Sequence, residues 1–173
     1  MNRRNFLSTT AGTLALANFT FAGPHSFRGK IYKAVKFGTH PNEEKIKKLK
    51  DLGFDGIEGS APGLQVDAMK KACTKHDLPM HGVVYQKHWH KRLSDPNPEI
   101  REESTNGLAQ AIRDAHAIGG TSVLLVPGKV MGANETHQHV WDRSIEQIRK
   151  VIPIAQELKI HILIETVWNG FCY

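Results

Sequence analysis

Two cysteines in 173 residues, Cys73 and Cys172, are too few for a disulfide framework. Cys73 falls on the apolar face of a helical stretch and Cys172 at the far end of the chain, so neither a bridge nor a paired metal site is expected of them. Long apolar runs are missing as well. Past residue 25 nothing approaches the ~20 residues that span a bilayer. Aromatic residues make up only 8% of the chain. None is interleaved with the lysine cluster Lys45, Lys47, Lys48 and Lys50, which alternates with Ile46 and Leu49 as the wet face of an amphipathic helix. A net charge of +6 without stacking residues gives no nucleic-acid partner. The chain also lacks a Gly-x-Gly-x-x-Gly after its first β-rich run, which removes the main phosphate device of a dinucleotide fold. What remains is 40% hydrophobic and 23% charged, an ordinary globular composition that excludes general disorder.

The first 22 residues read as an export signal: Arg3 and Arg4, then Phe6 and Leu7, then a weakly apolar run ending near small residues. This resembles a twin-arginine leader, although Asn2 and Ser8 depart from the usual flanks. An ordinary secretory signal and an uncleaved anchor are the alternatives. Export to the periplasm, with no stable membrane insertion once the signal is removed, is the expectation. Residues 23–30 form a polar linker, and a single domain is expected over residues 31–173.

That domain alternates short β-rich runs with helical ones. Strands are expected over Tyr32 to Gly38, Phe54 to Glu58, Met80 to Tyr85, Ser122 to Val126 and Ile160 to Ile164. The helices between them bury Ile46, Leu49 and Leu52; Val66, Met69, Ala72 and Cys73; Leu108, Ala111, Ile112, Ala115 and Ile118; and Ile145, Ile148, Ile152, Ala155 and Leu158. Asn42 is a candidate cap for the first. Such α/β alternation with right-handed crossovers leaves a doubly wound sheet or an eight-fold TIM barrel. Ionisable residues at successive strand ends favour the barrel, whose catalytic face lies there.

Those strand-end residues are the candidate site. Glu165 follows the apolar run Ile162, Leu163 and Ile164, where a carboxylate without a partner is costly, so a metal ion or a structural cation must meet it. Glu58 stands in the matching place on the second strand, to bind substrate hydroxyls or to pair inside the barrel mouth. His40 ends the first strand and either lines the pocket or caps a loop. His81 lies within the third strand, as a substrate contact or a satisfied interior histidine. The run Gln86-Lys87-His88-Trp89-His90 places His88 and His90 on one side of an extended loop and Trp89 on the other. That suits a sugar-stacking wall as well as a metal pair. His137 and His139, beside Trp141, read as a solvated entry to the fourth helix. His76, His116 and His161 have no role.

KFGTHPNEEKIKKLKDLGFDGIEGS, MHGVV, SVLLVPG and HILIETVWNGF, in that order and at unit spacing, resemble the sugar phosphate isomerase/epimerase family of xylose isomerase-like TIM barrels. The resemblance implies a barrel represented here by about five βα units, and a chain truncated relative to the family. It implies that Glu165 is both metal ligand and acid/base group on a divalent Mn, Mg or Zn ion, with three further ligands from later strands. It implies a small carbohydrate, sugar phosphate or hydroxy-carbonyl substrate, isomerised or epimerised by proton transfer through an enediolate, with a homo-oligomer possible. Trp168 and Asn169 resemble the hydroxypyruvate-isomerase-like branch and join the substrate-binding set. Phe171 stands where some ketose 3-epimerases carry a second glutamate. A metal-dependent lyase or hydrolase of the same superfamily and an inactive fragment are the alternative readings.

Overall fold

The computed structural model describes residues 29–167. The leader, Trp168, Asn169, Phe171 and Cys172 lie outside the described residues, and the compact unit containing the sheet begins at Tyr32. Its elements alternate as β1 (Ala34–Lys36), α1 (Glu43–Asp51), β2 (Gly56–Ala61), α2 (Val66–Lys75), β3 (Met80–Tyr85), α3 (Pro98–Ile118), β4 (Ser122–Leu125), α4 (His137–Glu157) and β5 (His161–Ile164).

Local chemistry sets most of these boundaries. The Asn42 side chain accepts from Lys45 N at 2.9 Å and opens α1, with Glu43 and Glu44 in the first turn and Lys48 and Lys50 in the last, as the helix dipole prefers. Asn97 and then Pro98 open α3, and Gly119 closes it at φ 90, a conformation that glycine adopts without Cβ strain. Thr136 caps α4, and the His139 ring completes a reciprocal capping box. His137 and His139 therefore belong to the first turn of α4, not to a loop before it.

All five strands are parallel and pair in sequence order, β1-β2-β3-β4-β5. A doubly wound sheet has a point where strand order reverses, and this one has none. Right-handed crossovers in unbroken order put every helix on one face, as a barrel wall requires. Val35, Phe37, Ile57, Ala61, Val83, Tyr85, Val123, Leu125 and Ile162 alternate toward the helices and, with Met80 ahead of the irregularity at His81, join one core with Ile46, Met69, Leu108, Ile112 and Val151. The intervening residues face the opposite, inner side of the sheet.

Three expectations change. The second strand runs on to Ala61, so Glu58 sits in mid-strand rather than at its end; a register shift against β3 at Ile57/Glu58 accompanies this. Leu52 is the C-cap of α1 and 62% exposed, outside the buried stripe. The fully buried face of α4 is Val140, Ser144, Gln147, Val151 and Ala155. Gln147 accepts from Thr105 Oγ1 of α3 at 3.0 Å, and Ser144 donates to the Pro127 carbonyl at 2.9 Å. Polar side chains with partners thus turn the helix so that Ile148 and Ile152 line a groove beside β5.

Candidate active site

The inner face carries a row of polar residues set by strand register. Lys36 of β1 lies opposite Glu58 of β2, Glu58 opposite Gly82, Gly82 opposite Ser122, and Ser122 opposite His161. Gly82 is required there: an added Cβ would sit 2.5 Å from Ser122 Oγ and 2.8 Å from the Ser122 carbonyl oxygen. Just past β5, the Glu165 amide donates to the Leu125 carbonyl at 2.9 Å, so the backbone is still paired to β4 where the Glu165 side chain leaves the strand.

Glu58 is half-buried, and burial raises its carboxyl above the usual range. His81 and Lys36 oppose that rise, whereas the negative charge of Glu165 adds to it. Four inward groups from four strands thus share one field: Lys36, Glu58, His81 and Glu165. His81 sits one residue into β3 and also borders a groove at the strand starts with Ala34, Gly56 and Pro79. Glu165 itself is exposed.

His88 forms the wall beside this row. It is 7% exposed, lies edge-on to the Tyr85 and Trp89 rings at 6.3 and 5.0 Å, and its Nδ1 is buried without a hydrogen-bond partner among the described residues. Burial, and secondarily the Lys36 charge, lowers its pKa to about 4, so the ring is neutral at ordinary pH. The segment is not extended: His90 N and Lys91 N both bond back to Lys87 O at 3.0 and 2.8 Å. This turn buries His88 while leaving His90 and Trp89 exposed, so the expected His88/His90 pairing on one side does not form. His40 is exposed, and its Nδ1 lies 2.7 Å from Thr39 Oγ1.

Sequence reasoning passed over two features. One is Lys36, whose signal was a lysine between the core residues Val35 and Phe37 of a strand. The other is an ion network tying the two long loops after β3 and β4. Arg92 Nη1 donates to Glu135 Oε2 at 3.0 Å and to the Lys129 carbonyl at 2.6 Å; Arg143 donates to Glu135 Oε1 at 3.0 Å and to the Ser94 carbonyl at 3.3 Å. Asp95 lies 3.6 Å from Arg92 Nη2, and the Met131 amide donates to Glu135 at 2.8 Å. No local pattern marks such a pairing, because its partners are 43 residues apart. A groove of about 740 Å³ between α3 and α4 lies on the outer side and has no share in this site.

The donor set bears on a metal. Among the described residues, no group of three or more His, Cys, Asp or Glu side chains is placed to hold an ion. Glu165 and Glu58 alone do not make a metal site.

A parallel, sequentially ordered βα sheet with ionisable side chains on its inner face defines a barrel-type enzyme scaffold. The chain belongs to the xylose isomerase-like TIM barrel family, which its residues 46–173 match. Among solved structures it is similar to the apo 3-keto-D-glucoside 4-epimerase of E. coli, with 16% identity and a TM-score of 0.71, covering 81% of this chain and 57% of that one. The D-psicose 3-epimerase of Clostridium cellulolyticum, solved with D-tagatose, gives 17% identity and a TM-score of 0.65 over 83% and 55%. A Thermus thermophilus protein soaked with ZnCl₂ gives 21% and 0.64 over 80% and 57%. These likenesses show the fold, and the chain spans a little over half the length of these structures. No curated protein matches the sequence.

Proposed function

We propose that the inner face is part of the site of a sugar isomerase or epimerase that moves a proton on carbon next to a carbonyl, through an enediolate. The observation carrying this reading is that two carboxylates, the half-buried Glu58 of β2 and Glu165 just past β5, whose amide is still paired to Leu125 of β4, stand on one inner face. Removing such a proton needs a carboxylate base, and the enediolate oxygens need hydrogen-bond donors or cations. Glu165 takes the proton. Glu58, half-buried and with its carboxyl raised above the usual range by burial, pairs with a substrate hydroxyl on the same face. Trp89, 44% exposed, and the His88 ring flank the sugar. A divalent ion is retained only as a partner of Glu165. Its remaining ligands would come from outside the described residues. The narrower hydroxypyruvate-isomerase-like assignment rests on Trp168 and Asn169, also outside them.

Incubation with ketoses in D₂O tests the reading, with deuterium wash-in at carbon next to the carbonyl followed by proton NMR. Glu165→Gln should slow wash-in at least about a hundredfold. Undiminished exchange would assign Glu165 to structure, and release of a carbon fragment would point to a lyase.

Export in folded form is proposed on Arg3 and Arg4. Replacing both with lysine should leave the protein in the cytoplasmic fraction; unchanged periplasmic recovery would favour an ordinary secretory route.

A further inference from the structure

Strand register gives Glu165 a level companion two strands away. Tyr85 of β3 and Leu125 of β4 turn into the core, and Ile164 of β5 lines the groove beside α4. The residues that follow them, Gln86, Val126 and Glu165, therefore turn to the inner side. Val84 is paired with Leu124, and Leu125 with Ile164. Carried forward, that register sets Gln86, Val126 and Glu165 level with one another. Backbone bonds keep the two outer residues there: Gln86 N donates to Ala61 O at 2.8 Å and Glu165 N to Leu125 O at 2.9 Å. Gln86 and Glu165 are exposed, whereas Val126 between them is buried. Two strand spacings, about 10 Å, separate their backbones. A monosaccharide lying across the C-terminal strand ends, where barrels hold substrate, meets both side chains.

The Gln86 carboxamide is already held. Its Nε2 donates to the Pro62 carbonyl at 2.6 Å, just past β2, and its Oε1 forms no hydrogen bond among the described residues. One end of the amide is thus anchored, and the other is an acceptor fixed before any ligand arrives. An uncharged acceptor of this kind suits a hydroxyl donor. The separation from Glu165 means that the two side chains meet different ends of a sugar. We propose that Gln86 is a substrate-binding residue whose carboxamide oxygen accepts from a sugar hydroxyl remote from the carbon at which Glu165 acts. This rests on the reading of the strand-end face as a sugar site and adds the contact that sets which way round the sugar lies.

Calorimetry on the full chain with D-fructose and its 4-deoxy, 5-deoxy and 6-deoxy forms tests the contact as a cycle between residue and hydroxyl. Wild type should bind one deoxy form about tenfold more weakly than D-fructose, as loss of a single hydrogen bond to a hydroxyl implies. Gln86→Leu should bind D-fructose about tenfold more weakly than wild type does, yet bind that same deoxy form equally well. Because Gln86 is exposed, the variant should fold, and an unchanged circular dichroism melt would show it. Gln86→Met repeats the cycle if the leucine variant does not fold. A loss spread evenly over all four sugars would assign Gln86 to bracing the Pro62 turn, and no loss at all would remove it from the site; either overturns the proposal. Failure of wild type to bind any of the four would sink the sugar-site reading together with it. Binding that follows the cycle without deuterium wash-in would sink the proton-transfer function alone and leave the Gln86 contact standing.

Discussion

Among single residues, His88 makes the sharpest solution prediction. Its imidazole has a pKa of about 4 in the folded chain, against 6.5 for an unperturbed ring. Between those values the unfolded chain binds the extra proton and the folded one does not. Stability from this group is therefore complete above pH 6.5 and is lost as pH falls toward 4. The groups facing it are Lys36, Tyr85 and Trp89. Urea midpoints at pH 7.5, 5.5 and 4.5 should fall more steeply with acid in wild type than in His88→Gln; parallel curves would show that the folded ring takes up its proton over the same range as the unfolded one. The sequence marked His88 and Trp89 as a wall but gave them extended geometry, because alternation was the only pattern available. The turn closed by Lys87 depends on backbone hydrogen bonds that composition does not reveal. Lys36 is not marked by any local pattern, because a lone lysine in a strand normally reads as a solvated edge position.

The elements owe their legibility to local causes, and their errors to distant ones. Met80–Tyr85 was readable from its apolar run after Pro79, and α1 from the Asn42 cap. The extension of β2 past Glu58 is fixed by pairing with β3, through Gln86 N to Ala61 O at 2.8 Å, and is invisible to a local window. The rotation of α4 follows in the same way from Gln147 and Ser144 finding partners on α3 and after β4. The Arg92–Glu135–Arg143 network is the element-scale counterpart: it makes one wall of two loops. Both pairing side chains of its central bridge are more than nine-tenths buried, at 8% and 7% exposure. Glu135→Ala removes the carboxylate shared by both guanidinium groups, leaving Arg92 with the more distant Asp95, and should cost about 3 kcal/mol in urea unfolding. Hydrogen exchange should accelerate in residues 86–97 and 126–136 together; acceleration in only one loop would show that the network does not couple them. Gly82→Ala forces a methyl against the β4 backbone as well as Ser122 Oγ, and a cost of about 1–3 kcal/mol is expected.

For the molecule as a whole, strand order was the legible part, since regular βα spacing without a dinucleotide loop pointed to a sequential parallel sheet. Less legible was how unevenly the sheet is covered. Leu125 of β4 is fully buried between its neighbours, whereas Ile164 of β5 is 48% exposed beside a groove of about 440 Å³ that Ile148, Ile152 and Ile160 also line. Both are large aliphatic residues at the ends of adjacent strands, paired in register. Hydropathy therefore rates them alike, and only tertiary placement separates them. Leu125→Ala should cost about 2–5 kcal/mol in the 173-residue polypeptide, as expected for truncation in a packed core. Ile164→Lys should stay within about 0.5 kcal/mol in the same polypeptide, because its lysine head reaches water while its stem keeps the groove contact. Paired urea titrations of the two variants decide the matter. A penalty for Ile164→Lys approaching that for Leu125→Ala would mean that the groove is covered in solution, and that β5 is an interior strand of the folded molecule rather than its margin.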